Sequence, residues 1–292
     1  LHRLYGHTPA AVFGPRGLAA VRQEMVNAGT SRKVVNQRVG RITRALKWAA
    51  SQELVPVSVY QSLRTLQGLQ SGRTEAPDTE PIKPVPAEHV RATLPHLTPH
   101  LRCLAELQLL TGIRPNEVCQ LRLADVDRTG GVWLYRPQRH KTRHRGRDRV
   151  VALGPKAQSL IEAFTAERDV DPEQPLFSPD RAQAERFAAM RAARKTKVQP
   201  SQAARRARRP KRSPGSRYTP TAYSHAVAKA AKKAGVPHWH PNQIRHTFAT
   251  SVRKAHGLEA AQVLLGHARA DVTQVYAERD MGLAIQIAQE VG

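Results

Sequence analysis

Pro241-Asn242-Gln243-Ile244-Arg245-His246-Thr247-Phe248-Ala249-Thr250 is the stretch on which the reading of this chain turns. Pro241 suits the first position of a helix, where its fixed φ is already helical and its missing N–H costs no bond. Ile244 and Phe248 stand one turn apart, so they share a face that would seat the helix and hold Arg245 in place. The segment by itself fits an ordinary amphipathic helix with an exposed arginine equally well. Downstream the helical pattern runs from Asn242 to His256 and Gly257 stops it. Two short helical patterns follow around Ala261 and Val272, carrying Leu264-Leu265-Gly266-His267 and then Val272-Thr273-Gln274-Val275-Tyr276. Taken singly, His267 and Tyr276 fit packing roles too, since a buried tyrosine hydroxyl commonly finds a carbonyl.

Upstream, Thr111-Gly112-Ile113-Arg114-Pro115-Asn116-Glu117 lies between two helical patterns. Gly112 lets the chain turn, and Pro115 again suits a first helical position. Arg114 is thereby placed at a helix N-terminus, where backbone N–H groups also favour an anion. A turn with an arginine is more often a surface ion pair. Between these motifs, Gly131–Arg136 and Arg149–Leu153 read as two short strands joined by a polar hairpin loop that holds His140-Lys141-Thr142-Arg143. A lysine on a hairpin tip is ordinarily solvated.

The charge balance narrows the partner. Among 292 residues, 47 Lys and Arg face 23 Asp and Glu, a formal charge of +24. Such an excess repels itself in a compact state and calls for a polyanion, nucleic acid first. An anionic membrane surface is the weaker candidate, because the sequence has neither a long apolar run nor an amphipathic anchor rich in aromatics. Cys103 and Cys119 are too few for a disulfide framework and lack histidines or further cysteines at zinc spacing. Both read as small buried hydrophobes in a reducing cytoplasm. The chain opens on Leu1 with no signal-peptide pattern, so its start is expected to be incomplete.

The sequence divides into an expected helical N-terminal unit over residues 1–72, a proline-rich linker over 73–86 and a catalytic unit over 87–292. In the first unit, Val34, Val35, Val39, Ile42, Leu46 and Ala49 recur at helical spacing, with Arg38, Arg41 and Arg44 between them. That flank is either a nucleic-acid face or a solvated one. In the second, Thr98-Pro99 and Thr219-Pro220 start helices, the latter ended by Gly235, and Ala157–Glu167 is helical. Residues 181–217 hold Arg205, Arg206, Arg208 and Arg209 in close order with Glu185 as their only acid. They read as a basic helix and insert that touches phosphates, or as a loop of no specific role. The expected class is mainly α with a small β-sheet.

Together, T-G-x-R-x-x-E at Thr111–Glu117, R-H-T-F-A-T at Arg245–Thr250, L-G-H at Leu265–His267 and the tyrosine nine residues on resemble the tyrosine recombinase, or phage integrase, family, over about residues 87–280. The resemblance implies a core-binding domain followed by a recombinase catalytic domain. It implies attack of the Tyr276 hydroxyl on a phosphodiester, leaving a 3′-phosphotyrosine and a free 5′-hydroxyl, with Arg114 and Arg245 cradling the phosphoryl oxygens as bidentate forks. Lys141 then matches the hairpin general acid, His267 binds a phosphoryl oxygen or orients Tyr276, and Glu117 supports Arg114. Arg143, with the insert arginines, joins the DNA-contacting set. No metal or other cofactor is called for, since no carboxylate cluster suited to Mg²⁺ appears.

One position departs from the pattern. The family usually has histidine three residues before the second arginine, and here Asn242 stands there. Asn242 can bind phosphate but cannot exchange a proton. His240 lies two residues earlier, and His246 is expected to be structural. The implied partner is double-stranded DNA and the implied assembly a homotetramer on two recombining sites, without a membrane, in the cytoplasm at the nucleoid. The charge and the arginine-rich insert lean towards a mobile-element integrase. The rival readings are a type IB topoisomerase and an inactive DNA-binding descendant of an integrase.

Overall fold

In the computed structural model, residues 1–140, 148–197, 199 and 213–266 are described. The chain divides into two compact units, Leu1–Ile82 and Lys83–Gly292.

The first unit is helical: α1 (His2–Tyr5), α2 (Pro15–Asn27), α3 (Arg32–Ser51) and α4 (Val57–Leu63). Four residues of the stripe expected on α3 (Val35, Val39, Ile42 and Leu46) belong to the hydrophobic clusters, and Val34 and Ala49 do not. Val39, Ile42 and Leu46 lie against Phe13, Leu18, Val21, Val59 and Leu63, while Val35 joins Val26 and Ala76. Arg38, Arg41 and Arg44 are exposed on the same helix. The 73–86 stretch is not uniformly a tether. Just before it, Asn36 exchanges two hydrogen bonds with the backbone of Leu69, of 2.8 and 2.9 Å. Within it, Asp78 is held by Arg32 at 2.7 Å, and Ala76 is buried on α3. At the far end of the stretch, Val85 enters the core of the second unit. Composition signals the prolines and misses these anchors, because one small apolar side chain has no periodicity to announce it.

The second unit comprises α5 (Ala87–Thr93), α6 (Pro99–Thr111), α7 (Pro115–Cys119), a sheet, α8 (Pro155–Ala166), α9 (Pro179–Ala192), α10 (Pro220–Lys233) and α11 (Pro241–Leu265). Proline opens most of them. The hydroxyls of Ser178 and Thr219 accept from the N–H groups of Arg181 (3.3 Å) and Ala222 (3.1 Å) and so cap α9 and α10. The sheet is antiparallel in the order β1 (Val126–Asp127), β2 (Trp133–Tyr135), β3 (Val151–Leu153). Tyr135 pairs with Val126 on one side and Val151 on the other. β2 and β3 are the two strands expected from the sequence. β1 was not expected, since two residues are too few to show alternation.

α6 runs through the middle of this unit and packs on α8 and α11. Leu104, Leu107, Ile113, Val118, Leu121, Tyr135, Leu153, Phe177, Tyr223, Trp239 and Ile244 belong to one continuous core around it. α11 breaks where Gly257 leaves helical geometry at φ 83° and ψ 176°. A left-handed Gly266 (φ 62°) ends it. Cys103 and Cys119 are both free and buried, and burial pushes each thiol up to about 12. Among the described residues, no helix is long and apolar enough to cross a membrane.

Candidate active site

The site is built on three backbone turns that α6 and α11 bring together. The first follows α6. Gly112 takes the left-handed conformation (φ 60°), and a side chain at that position would collide with the ring of Phe248 from α11. Only glycine combines that backbone angle with that close approach. Buried Gln108 locks the contact: its amide donates to the carbonyls of Ile113 (3.1 Å) and Pro241 (3.0 Å), and its oxygen accepts from the Tyr223 hydroxyl (3.1 Å). The turn before Arg114 and the start of the helix that carries Arg245 are therefore clamped by one side chain.

Arg245 is buried, 1% exposed, and spans two turns. Its Nη1 donates to the Gly112 carbonyl and its Nη2 to the Leu265 carbonyl, each at 2.7 Å. The guanidinium is held by two backbone carbonyls at these contacts, and its charge also helps to hold the Glu117 carboxyl below its usual range. Arg114, at the N-cap of α7, is held differently. Its Nη1 pairs with Glu117 Oε1 at 2.8 Å, and its backbone N–H donates to Glu117 Oε2 at 3.3 Å. The Arg114 side chain keeps 27% of its surface exposed, while Glu117 keeps 2%. Burial pushes the Glu117 carboxyl up, but Arg149 and then Arg114 outweigh it and hold it below its usual range. Tyr135 fixes α7 to the sheet by donating its hydroxyl to the Glu117 carbonyl at 3.0 Å.

The start of α11 holds the departure at 242. Asn242 is exposed, and its Nδ2 lies 3.4 Å from Nε2 of the buried His246 one turn on. His240 is the exposed N-cap residue: its N–H donates to Gln243 Oε1 at 2.8 Å, its Nδ1 lies 3.3 Å from Ser224 Oγ, and its ring meets His238 edge-on at 4.4 Å. The structure therefore gathers Arg114, Glu117, Arg245, Asn242 and His246 around the α6–α7 turn and the first turns of α11. Lys141, Arg143, Arg205, Arg206, Arg208, Arg209, His267 and Tyr276 lie outside the described residues.

Two residues that sequence reasoning passed over belong to this site. Gln108 sits in an otherwise apolar stripe, and a lone polar residue there is a signal that could have been used. Arg149 is buried against Glu117, and nothing in the sequence distinguishes it from the arginines that precede it. In the first unit, the exposed flank of α3 borders a cleft of about 400 Å³ lined by Arg22, Arg44, Lys47, Tyr60 and Arg64. Lys47 and Arg64 lie 5.9 and 5.7 Å from the Tyr60 ring centroid.

The family model described as the phage integrase family matches residues 88–282, and the chain belongs to that family. Among curated proteins it is 29% identical over 180 residues to the tyrosine recombinase XerC of Xylella fastidiosa strain 9a5c, covering 61% of this chain and 48% of that protein. The chain thus spans about half the length of the curated relatives it matches. Two solved structures share the fold. One is a lambda integrase dimer bound to a COC′ core site, with TM-score 0.63, 14% identity, and 93% and 82% of the two chains covered. The other is the Tn1549 transposon integrase in complex with a circular intermediate DNA, with TM-score 0.65, 15% identity, and 96% and 86% covered. The mainly helical class with a small antiparallel sheet, expected from the sequence, is the class observed.

Proposed function

We propose that this chain is a site-specific DNA recombinase that cuts and rejoins strands through a tyrosine–DNA intermediate. The observation that carries the reading is the joining of the two arginine motifs: Arg245 donates to the Gly112 carbonyl, two residues before Arg114. Two guanidinium groups fixed on adjoining turns suit one phosphodiester, whose charge grows on the non-bridging oxygens as the pentavalent state forms. Preorganised donors of this kind are worth roughly 2.7–4 kcal/mol each.

In the proposed reaction, the Tyr276 hydroxyl attacks phosphorus and loses its proton while the bond to the 5′-oxygen breaks. Lys141 gives that oxygen its proton, and His267 binds a phosphoryl oxygen or orients the tyrosine. The 3′-phosphotyrosine keeps the phosphodiester bond energy, so a 5′-hydroxyl attacking it restores DNA without ATP. Asn242 takes the phosphate-binding part of the role usually given to histidine. The partner is double-stranded DNA, and the working assembly is a tetramer on two sites. The family membership and the DNA-bound state of both fold relatives support this reading.

The test is covalent trapping on DNA carrying a nick or a 5′-bridging phosphorothiolate beside the cleavage site, taken from the flanks of the gene. The expected result is an SDS-resistant protein–DNA band that Tyr276→Phe lacks. Firm DNA binding with no band in the parent chain refutes the reaction and leaves a DNA-binding protein. Relaxation of any supercoiled plasmid without site preference points to a topoisomerase instead.

A further inference from the structure

We infer that Arg149 is a positioning residue of the cleavage site, a buried brace that aligns Arg114 through Glu117 and fixes the turn leading into His267. The inference rests on the recombinase reading above. Arg149 precedes β3 and lies almost wholly buried, its side chain 4% exposed, with Nε turned to Glu117 and Nη1 to the Val150 carbonyl. Its Nε pairs with Glu117 Oε2 at 3.3 Å, while Arg114 holds Oε1 of the same carboxylate. One buried carboxylate therefore stands between two guanidinium groups, and moving Arg149 moves the anchor of Arg114.

The other edge of Arg149 faces a second part of the site. Nη1 donates to the Val150 carbonyl at 3.0 Å and occupies the space that a side chain at Gly266 would fill. Gly266 immediately precedes His267, and the carbonyl before it, of Leu265, is the one Arg245 holds at 2.7 Å. The turn is thus pinned by Arg245 and abutted by Arg149. Nη2 of Arg149 is buried with no hydrogen-bond partner among the described residues.

A second cation buried beside Arg114 is an expensive way to gain stability, because desolvation offsets most of the attraction to Glu117. Burial indeed pulls the Arg149 guanidinium below its ordinary range, against the pull of Glu117. An apolar side chain would fill the space more cheaply. What an apolar side chain could not do is fix the angle of the Glu117 carboxylate and the height of the glycine turn together. A lysine could not do so either, since one ammonium lacks the two-edged fork that both contacts use.

The experiment compares the full chain with Arg149→Met, Arg149→Lys and Gly266→Ala, in single-turnover cleavage of the trapping substrate at saturating protein. DNA affinity and cooperative melting are measured alongside. Cleavage falls by about 100-fold in Arg149→Met and Arg149→Lys, the cost of roughly an ångström of misplacement. DNA affinity stays within about threefold of the parent, because this guanidinium is engaged by Glu117 and the Val150 carbonyl rather than by a phosphate. Gly266→Ala, with every charged residue intact, also cleaves slowly, because its methyl meets the guanidinium and strains the left-handed turn that Arg149 abuts. If Arg149→Met does not fold, the other two variants carry the comparison. A folded Arg149→Lys or Gly266→Ala chain that cleaves at the parent rate overturns the inference, and so does a slowdown that vanishes as protein is added. A parent chain that forms no adduct overturns the recombinase reading and this inference with it. A parent that cleaves beside variants that cleave equally well overturns this inference alone.

Discussion

The outer flank of α3 in the first unit and the α6–α11 junction in the second use arginine in opposite ways. On α3 of the first unit, Arg38, Arg41 and Arg44 stand exposed beside an apolar stripe, where salt screens them. In the second unit, Arg245 and Arg149 are buried, with named partners for their guanidinium groups. Exposed cations can supply affinity, at a strength set by ionic strength. Buried cations supply less of it, but in the proposed reaction they are already oriented, which is where electrostatic catalysis gains most. On the proposed reading, a charge of +24 divides into two functions that a net count conceals.

The largest expected break in this comparison is Arg245→Lys. Lysine keeps the charge but loses the fork that reaches both the Gly112 and Leu265 carbonyls. Cleavage should fall by about 100- to 1,000-fold, as for loss of one preorganised donor, with DNA binding little changed. A variant that binds poorly but cleaves at the parent rate when saturated would place Arg245 with the affinity residues and erase the distinction.

Next comes Arg38→Gln/Arg41→Gln/Arg44→Gln, the converse test. Cleavage at saturating protein should stay near the parent rate while affinity drops. The slope of log affinity against log salt should become shallower by about 0.9 for every phosphate that these arginines neutralise in the parent. An unchanged salt slope would make this flank a merely solvated face. Arg114→Ala lies between the extremes in kind, since Arg114 is part-exposed and shares Glu117 with Arg149.

Much of this contrast was legible in the sequence, but unevenly. The helix starts at Pro99, Pro220 and Pro241 and the break at Gly257 could be read directly, because proline and glycine act on their own backbone. The α3 stripe could be read because its period is local. The meeting of Arg245 with the Gly112 turn could not, since it depends on how α11 crosses α6, and only the family pattern supplied it. Arg149 was invisible for a related reason. It follows Arg143, Arg145 and Arg147 at alternate positions of the sequence, and nothing in that spacing says which arginine is buried. Asn242 was legible as a departure, but its closeness to His246 arises only once the helix has formed.

That closeness gives a smaller prediction. Asn242→Ala should slow cleavage about tenfold, the loss of one hydrogen bond to a charged group. Asn242→His should cleave at least as fast as the parent, because the family residue adds proton exchange to the same contact. Parent-rate cleavage by Asn242→Ala would assign the phosphate contact elsewhere, with the exposed His240 the nearest substitute.

The smallest effect concerns stability and shows what burial does to a cation that can lose its proton. His100 on α6 is fully buried: the Ser178 N–H donates to its Nδ1 at 3.2 Å, and its Nε2 lies 3.0 Å from Glu185 Oε1. A neutral ring protonated on Nε2 satisfies both contacts, whereas a proton on Nδ1 would face the Ser178 N–H. Burial pulls the imidazole below its ordinary value, against the opposing pull of Glu185. The unfolded chain therefore binds this proton at higher pH than the folded one. The stabilisation is fully present above the unfolded value of about 6.5 and is lost as pH falls through that value towards the folded one. Melting of the second unit should drop between about pH 7.5 and about pH 5.5, more steeply in the parent than in His100→Gln, whose amide keeps both hydrogen bonds and does not titrate. Equal slopes would mean that His100 takes its proton as readily in the folded chain as in the unfolded one. The contrast between solvated cations and buried, oriented groups would then stop at the arginines, which never face that choice because they hold their protons throughout that range.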